Sequence, residues 1–139
     1  MGILCMFIIL GCDPTDERLT IFNRSNNIVF YRVSLQERLH GESPYKNSFR
    51  LIGTDTLWDE TSNLILPNSY KKPVAIGRKG WENLIKDAED QKLRIFVFEK
   101  DLLLTLPWDS IVNHQIFSQK YELTLEDMDL ANWEIIYEK

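Results

Sequence analysis

The sequence predicts an α+β domain, mainly β, with an antiparallel sandwich-like sheet, one amphipathic helix and short helical turns. Many short segments are rich in β-branched and aromatic residues and are separated by turn formers, a pattern typical of antiparallel strands. Residues 81–88 instead repeat their apolar side chains with the period of a helix. Hydrophobic residues form 44% of the chain, as in ordinary globular domains.

The first strands are predicted at residues 18–22 and 28–34. Residues 23–27 between them are four polar turn formers around one arginine, so the two strands are expected to form a hairpin. From residue 36 to residue 62 the periodicity fades, apart from one short strand predicted at 49–52. Loops of this length in a small domain are often binding loops. We therefore expect any binding function to lie there.

The middle of the chain predicts short strands at residues 64–66 and 74–76, followed by the helix. In that helix Trp81, Leu84, Ile85 and Ala88 share one face, and charged residues occupy the other. Residues 93–98 form the strongest predicted strand. It is apolar on both faces apart from Arg94, so it is expected to be central in its sheet.

The last third predicts two helical turns and two half-buried strands. Pro107 opens a short helical segment through Val112, since proline is favoured in the first turn of a helix. Residues 121–125 alternate between apolar and polar, and residues 124–127 match a capping box that begins a turn of helix. Residues 133–137 alternate again, which predicts a final strand.

The first twelve residues are uncharged and mostly apolar, and acidic, turn-forming residues follow from Asp13. Twelve residues are too few to span a bilayer, which takes about 20 in a helix. Their length instead fits the apolar core of a signal peptide. A buried first strand or helix is the alternative, but the run lacks the polar alternation of a half-buried element.

Ile9, Leu10, Gly11 and Cys12 resemble the lipobox of bacterial lipoproteins. The resemblance implies that residues 1–11 are a removed signal peptide and that Cys12 carries the lipid, with acyl chains such as palmitate. Residues 12–18 would then be an acylated, solvated tether, and residues 19–139 a single globular domain. Two features depart from the pattern: no Lys or Arg precedes the apolar run, and Leu10 is large for its position. A start codon upstream of Met1 would explain the first departure.

The lipobox also implies a place in the bacterial cell envelope, held to a membrane by the lipid anchor. The outer membrane is expected, with the domain on its periplasmic or surface face. Processing would leave no free thiol, because Cys5 is removed and Cys12 is acylated. A net charge of −5 and a pI near 5.0 argue against a nucleic-acid partner. No motif indicates a cofactor or a metal.

The candidate ligand-binding residues are Asp55, Trp58 and Asp59, since paired carboxylates beside an aromatic ring suit sugar binding. With Glu60 they would also suit glycoside hydrolysis, which defines an alternative hydrolase hypothesis. A solvated acidic loop, with the tryptophan folded onto the core, is the simpler interpretation. No catalytic residue is assigned. His40 and His114 have no activating partner at a local spacing.

Taken whole, the chain resembles the small lipoproteins without assigned activity that are abundant in gut-type Gram-negative bacteria. The likeness lies in the lipobox, the opening residues 19–23, and the closing residues 121–125 and 132–135. No activity is assigned to such proteins, so the resemblance implies none for this chain. Our first hypothesis is a non-catalytic binding or structural module of the envelope, whose partner is a protein or a glycan. An immunity or inhibitor lipoprotein for a basic target is a third hypothesis.

Overall fold

The computed structural model describes residues 14–44 and 63–139 in full, and the backbone of residues 49–52 and 55–58. These residues form an α+β domain with more strand than helix, which confirms the predicted fold class. The strands are β1 (Thr15–Asp16), β2 (Thr20–Asn23), β3 (Val29–Ser34), β4 (Phe49–Ile52), β5 (Asp55–Trp58), β6 (Leu64–Ile65), β7 (Ser69–Lys71), β8 (Ala75–Ile76), β9 (Leu93–Glu99), β10 (Gln119–Leu123) and β11 (Glu134–Tyr137). The helices are α1 (Gly80–Asp87), α2 (Lys100–Thr105), α3 (Trp108–His114) and α4 (Leu125–Leu130).

The central sheet is antiparallel and has the strand order β10-β9-β3-β6. Strand β9 pairs along most of its length with β10 on one side and β3 on the other. All residues of β9 except Glu99 are buried, because both faces of this sheet are covered. The prediction of a central strand at residues 93–98 is therefore confirmed.

A second sheet has the order β11-β2-β7, and it is here that the predicted hairpin is wrong. Strand β2 pairs with β7 and, in parallel, with β11, whereas β3 belongs to the central sheet. The reason is Asn23, which is fully buried. Its Nδ2 donates to the backbone oxygens of Asn27, Ile65 and Leu66, and its Oδ1 accepts from Ser25. The turn formers thus build a corner between two sheets.

The two sheets enclose the larger hydrophobic core. Alternate residues of β9, namely Leu93, Ile95 and Val97, face this core. The second sheet contributes Ile21 and Ile135. Two tyrosines link the sheets. The Tyr121 hydroxyl donates to the Ile136 oxygen at 2.8 Å, and the Tyr137 hydroxyl donates to Glu99 Oε1 at 2.7 Å. The arrangement is sandwich-like, as predicted.

The opposite face of the central sheet is covered by helices α2 and α3. Phe96 and Phe98 of β9 and Phe30 of β3 form a smaller core there with Ile111 of α3. The helix predicted after Pro107 is confirmed and extends two residues beyond Val112, to His114. The central sheet therefore lies between a second sheet and a helical layer, which explains why β9 is apolar on both faces.

Helices α1 and α4 follow the sequence prediction closely. Helix α1 buries Trp81 and Ile85 against the larger core, while Leu84 on the same predicted face remains 40% exposed. Helix α4 begins with the predicted capping box: the Asp127 backbone N–H donates to Thr124 Oγ1, and the Thr124 N–H donates to the Asp127 carboxylate. Each reciprocal bond satisfies a backbone donor that the helix itself cannot pair.

The first residues of the described chain are packed onto the domain. Strand β1 pairs with β8, and Asp16 is only 3% exposed although it was expected in a solvated tether. Arg18 holds this carboxylate with two bonds, Nε to Oδ1 at 2.9 Å and Nη2 to Oδ2 at 2.8 Å. The backbone N–H of Trp81 also donates to Asp16 Oδ2, so the carboxylate lies at the start of α1. The ordered domain therefore includes residues before 19.

Candidate functional site

A cleft of about 540 Å³ opens beside β3. We name it the Tyr31 cleft. It is lined by Tyr31, Arg32, Val33, Asn63, Lys72, Pro73, Val74 and Trp81. Strand β3 forms one wall, the connection between β7 and β8 forms another, and the first turn of α1 supplies the tryptophan.

Trp81 lines this cleft and carries an unpaired hydrogen-bond donor. The side chain is 5% exposed, and its indole Nε1 is the one buried side-chain polar atom without a partner among the described residues. A buried donor left unpaired costs about 1–3 kcal/mol, so such atoms are rare in folded proteins.

The backbone of β3 supplies a second set of polar groups. The Tyr31 N–H donates to the Asn63 oxygen at 3.0 Å, at the end of the short pairing with β6. Residues of a strand alternate between its two edges, so the N–H and C=O of Val33 point to the same edge as those of Tyr31. No described strand pairs with β3 there, and Val33 lines the cleft. Among the described residues, the N–H and C=O of Val33 therefore have no strand partner.

The side chains of the cleft are cationic and aromatic. Arg32 and Lys72 contribute positive charge, and no carboxylate or histidine occurs among the described residues of the lining. The Arg32 Nη1 also donates to the backbone oxygen of Glu42, which holds the guanidinium over Gly41. Burial raises the pKa of the Tyr31 phenol, so this group stays neutral at physiological pH. The cleft therefore suits a ligand with carbonyl or carboxylate oxygens.

The residues predicted as the binding site lie elsewhere in the chain. Asp55 and Trp58 are the first and last residues of β5, which forms a two-stranded hairpin with β4; the strand predicted at 49–52 is therefore present. Their side chains, together with Asp59, Glu60 and the predicted lipidation residue Cys12, lie outside what the structure describes. The site hypothesis for these residues stays a prediction.

Both histidines are exposed on the surface near the helical layer. His114 ends α3, with its Nδ1 3.0 Å from the Ser110 backbone oxygen, and His40 follows the buried Leu39. Nearby contacts are structural: the Gln115 side chain exchanges two hydrogen bonds with the backbone of Leu39. Neither histidine lines the Tyr31 cleft. Within residues 14–44 and 63–139 there is also no group of three metal-ligating side chains.

Sequence reasoning missed the Tyr31 cleft. Its lining residues come from four separate segments, and strand β3 was predicted to pair within a hairpin. One signal was available: Tyr31 and Val33 alternate with Arg32 in a predicted strand, which places the arginine on the opposite face from two core residues. That pattern gives no indication of the cleft itself.

Among the described helices, none combines the length and the apolar composition that crossing a bilayer requires. Comparisons with protein-family models, with curated proteins and with solved structures find no match to this chain.

Proposed function

We propose that this chain is a lipid-anchored protein of the bacterial cell envelope that binds an extended segment of a partner protein in the Tyr31 cleft. The observation that supports the binding function is the cleft beside β3, where no described strand pairs with Val33 and where Trp81, whose indole N–H is buried without a partner, forms part of the wall. The lipobox at residues 9–12 supports the location. The function is binding, without a catalytic step.

An extended peptide fits the cleft because its own backbone complements the edge of β3. Strand addition of this kind takes affinity from main-chain hydrogen bonds and specificity from side-chain pockets. Here Val33 would provide the main-chain groups, and the Trp81 ring would form part of the wall. Arg32 and Lys72 favour an acidic peptide. A glycan would not use the main-chain groups of β3.

The location is tested by intact mass and membrane fractionation of the native protein beside a Cys12→Ala variant. We expect native protein to lose residues 1–11, gain acyl mass and sediment with membranes. The variant should do none of these. A native chain that stays soluble with Met1 in place would contradict the anchor and require a new account of the apolar start.

The cleft is tested by placing a photo-crosslinking residue at Asn63, which lines it, and a matched one at Leu104, an exposed residue of α2 in the helical layer. Irradiation of cells should give a discrete adduct from position 63 and none from position 104. Mass spectrometry of the adduct then identifies a peptide or a glycan. A glycan adduct would overturn the peptide assignment.

A proline substitution sharpens this test. Val33→Pro removes the one N–H that β3 presents to the cleft, while the bonds to β9 belong to the flanking residues. We expect the variant to fold and the adduct at position 63 to disappear. An undiminished adduct in a folded Val33→Pro protein would show that the strand edge is not used.

A further inference from the structure

Residues 71–79 form the most basic stretch of an otherwise acidic chain. They read Lys-Lys-Pro-Val-Ala-Ile-Gly-Arg-Lys, with four cations and no carboxylate, whereas the whole chain has a net charge of −5. We name them the basic segment. They span the end of β7, strand β8 and the turn that leads into α1.

The basic segment lies directly against the start of the described chain. Thr15 is paired with Ile76 in the β1–β8 ladder, and the Gly77 N–H donates to the Pro14 oxygen at 2.6 Å. Gly77 has a φ of +97°, a conformation that favours glycine, and this turn leads Arg78 and Lys79 away from the strand. Any surface to which the residues before Pro14 are attached therefore also lies close to the basic segment.

The outer face of this segment is both apolar and cationic. Ala75 points into the core at 4% exposure, so its neighbours Val74 and Ile76 point outward, at 51% and 78% exposure. Lys72, Arg78 and Lys79 are exposed beside them. None of these three cations forms an ion pair with a described residue.

Nearby carboxylates only partly offset this charge. Glu82 pairs with Arg18 at 3.0 Å and Asp16 is buried, so Glu17 is the exposed acid next to β1 among the described residues. Exposed cations beside outward apolar side chains are the combination found on proteins that lie on anionic lipid surfaces.

We propose that the basic segment rests on an anionic phospholipid surface and orients the domain on its membrane. The inference rests on the proposed acylation of Cys12, which is three positions before Thr15 and so within about 10 Å of it even in a fully extended chain. Ile76 enters the headgroup region, and the flanking cations contact lipid phosphates. The membrane thus meets the β1–β8 side of the domain rather than the helical layer.

The test uses the acylated protein carrying Ile76→Cys, labelled with a thiol-reactive fluorophore that responds to polarity. The mature chain would have no other free thiol, because Cys5 is removed and Cys12 is acylated. Leu104→Cys is the control, since Leu104 is also exposed, at 52%, but lies on α2 in the helical layer. Intact mass first establishes the acylation.

On vesicles of phosphatidylethanolamine with phosphatidylglycerol, the label at position 76 should shift to shorter wavelength and be quenched by spin-labelled lipid. The label at position 104 should do neither. Raising the salt concentration, or adding Arg78→Gln with Lys79→Gln, should reduce the shift, because screening and charge removal weaken attraction to anionic headgroups. On neutral phosphatidylcholine vesicles the two substitutions should have no effect.

The outcomes separate this proposal from the function on which it rests. Acylated protein whose two labels respond alike would overturn the orientation and leave the anchor intact. A shift at position 76 that ignores salt, charge variants and lipid charge would overturn the electrostatic part. Protein without acyl mass would overturn the anchor, and the proposed orientation would fall with it.

Discussion

Two buried ion clusters stabilise this domain, and they are built with opposite polarity. In the β9 cluster the cation is buried: Arg94 is 2% exposed, while its partners Asp90 and Glu122 are 42% and 36% exposed. In the β1 cluster the anion is buried: the Asp16 side chain is 2% exposed, and that of Arg18 is 40% exposed. Each cluster therefore keeps one member in contact with water.

The buried member is satisfied differently in the two clusters. Arg94 donates from Nη1 to the Leu35 backbone oxygen at 3.1 Å and also pairs with Asp90, so its guanidinium joins strand, loop and helix end. Asp16 accepts from Arg18 and from the N–H of Trp81 at the start of α1. Arg18 in turn lies 4.2 Å from the centre of the Trp133 ring. In both clusters the buried charge keeps an ion-pair partner and hydrogen bonds, and these offset the cost of removing it from water.

The largest effect is expected from Arg94→Ala. The substitution leaves a cavity in the central sheet and removes the donor to the Leu35 oxygen. Loss of a large buried side chain and an orphaned carbonyl should together lower the free energy of unfolding by about 4 kcal/mol. Urea denaturation measures it. Arg78→Ala is the exposed control and should change stability by less than about 0.5 kcal/mol.

Arg18→Ala breaks the β1 cluster from its exposed side and should rank second. It leaves the Asp16 carboxylate buried with only backbone donors, at a cost of about 3 kcal/mol. If the double variant Arg18→Ala with Asp16→Asn recovers much of the loss, the stranded charge is its cause. Equal stability of the single and double variants would show that Arg18 acts by packing on Trp133 instead.

Gly80→Ala tests how closely α1 must approach β8 for Trp81 to reach Asp16. A Cβ at position 80 would lie 2.8 Å from the Ala75 Cβ and 3.0 Å from the Ala75 carbonyl carbon. Overpacking costs about 1–3 kcal/mol, and alanine's helix propensity returns up to about 1 kcal/mol. A net loss of about 1–2 kcal/mol is expected in thermal unfolding. Asn83→Ala, exposed on the same helix, should lose nothing.

The smallest effect is the pH dependence that Asp16 gives to the free energy of unfolding. Hydrogen bonding from Arg18 holds the pKa of Asp16 below its ordinary value of 3.8. The unfolded chain therefore binds a proton at higher pH than the folded one, so this contribution is complete above about pH 5 and lost as the pH falls below 4. The difference in free energy of unfolding between the native protein and Asp16→Asn should narrow as the pH falls from about 5 to below about 4. A difference independent of pH would contradict the ionic role of Asp16.

The comparison also shows what the sequence could predict. Arg94 stands out in the sequence as the one polar residue of an apolar strand. The central position of that strand was predicted because both of its faces are otherwise apolar. The burial of Asp16 could not be predicted, because this residue stands among acidic residues typical of a tether and its burial depends on contacts with Arg18 and α1. Local patterns identified α1, α3 and the capping box at Thr124, since their signals lie within a few residues.

Strand partners and the cleft depended on contacts distant in the chain. The turn formers at residues 23–27 were recognised correctly as a turn, but their composition could not show that Asn23 would bind oxygens of β6. That tertiary contact explains why residues 23–27 form a corner between two sheets rather than the turn of a hairpin. The Tyr31 cleft was missed for a similar reason, because its walls come from segments that are distant in the chain.

The parallel pairing of β2 with β11 bears on how the protein is made. Thr20 is paired with Glu134, more than a hundred residues later, so β2 cannot complete its sheet until residues 134–137 are available. Pairings of such high contact order form slowly. A chain that emerges from the ribosome from its N-terminus would therefore leave this side of β2 unpaired until residues 134–137 have emerged. Loss of these four residues would leave β2 with an exposed edge prone to aggregation.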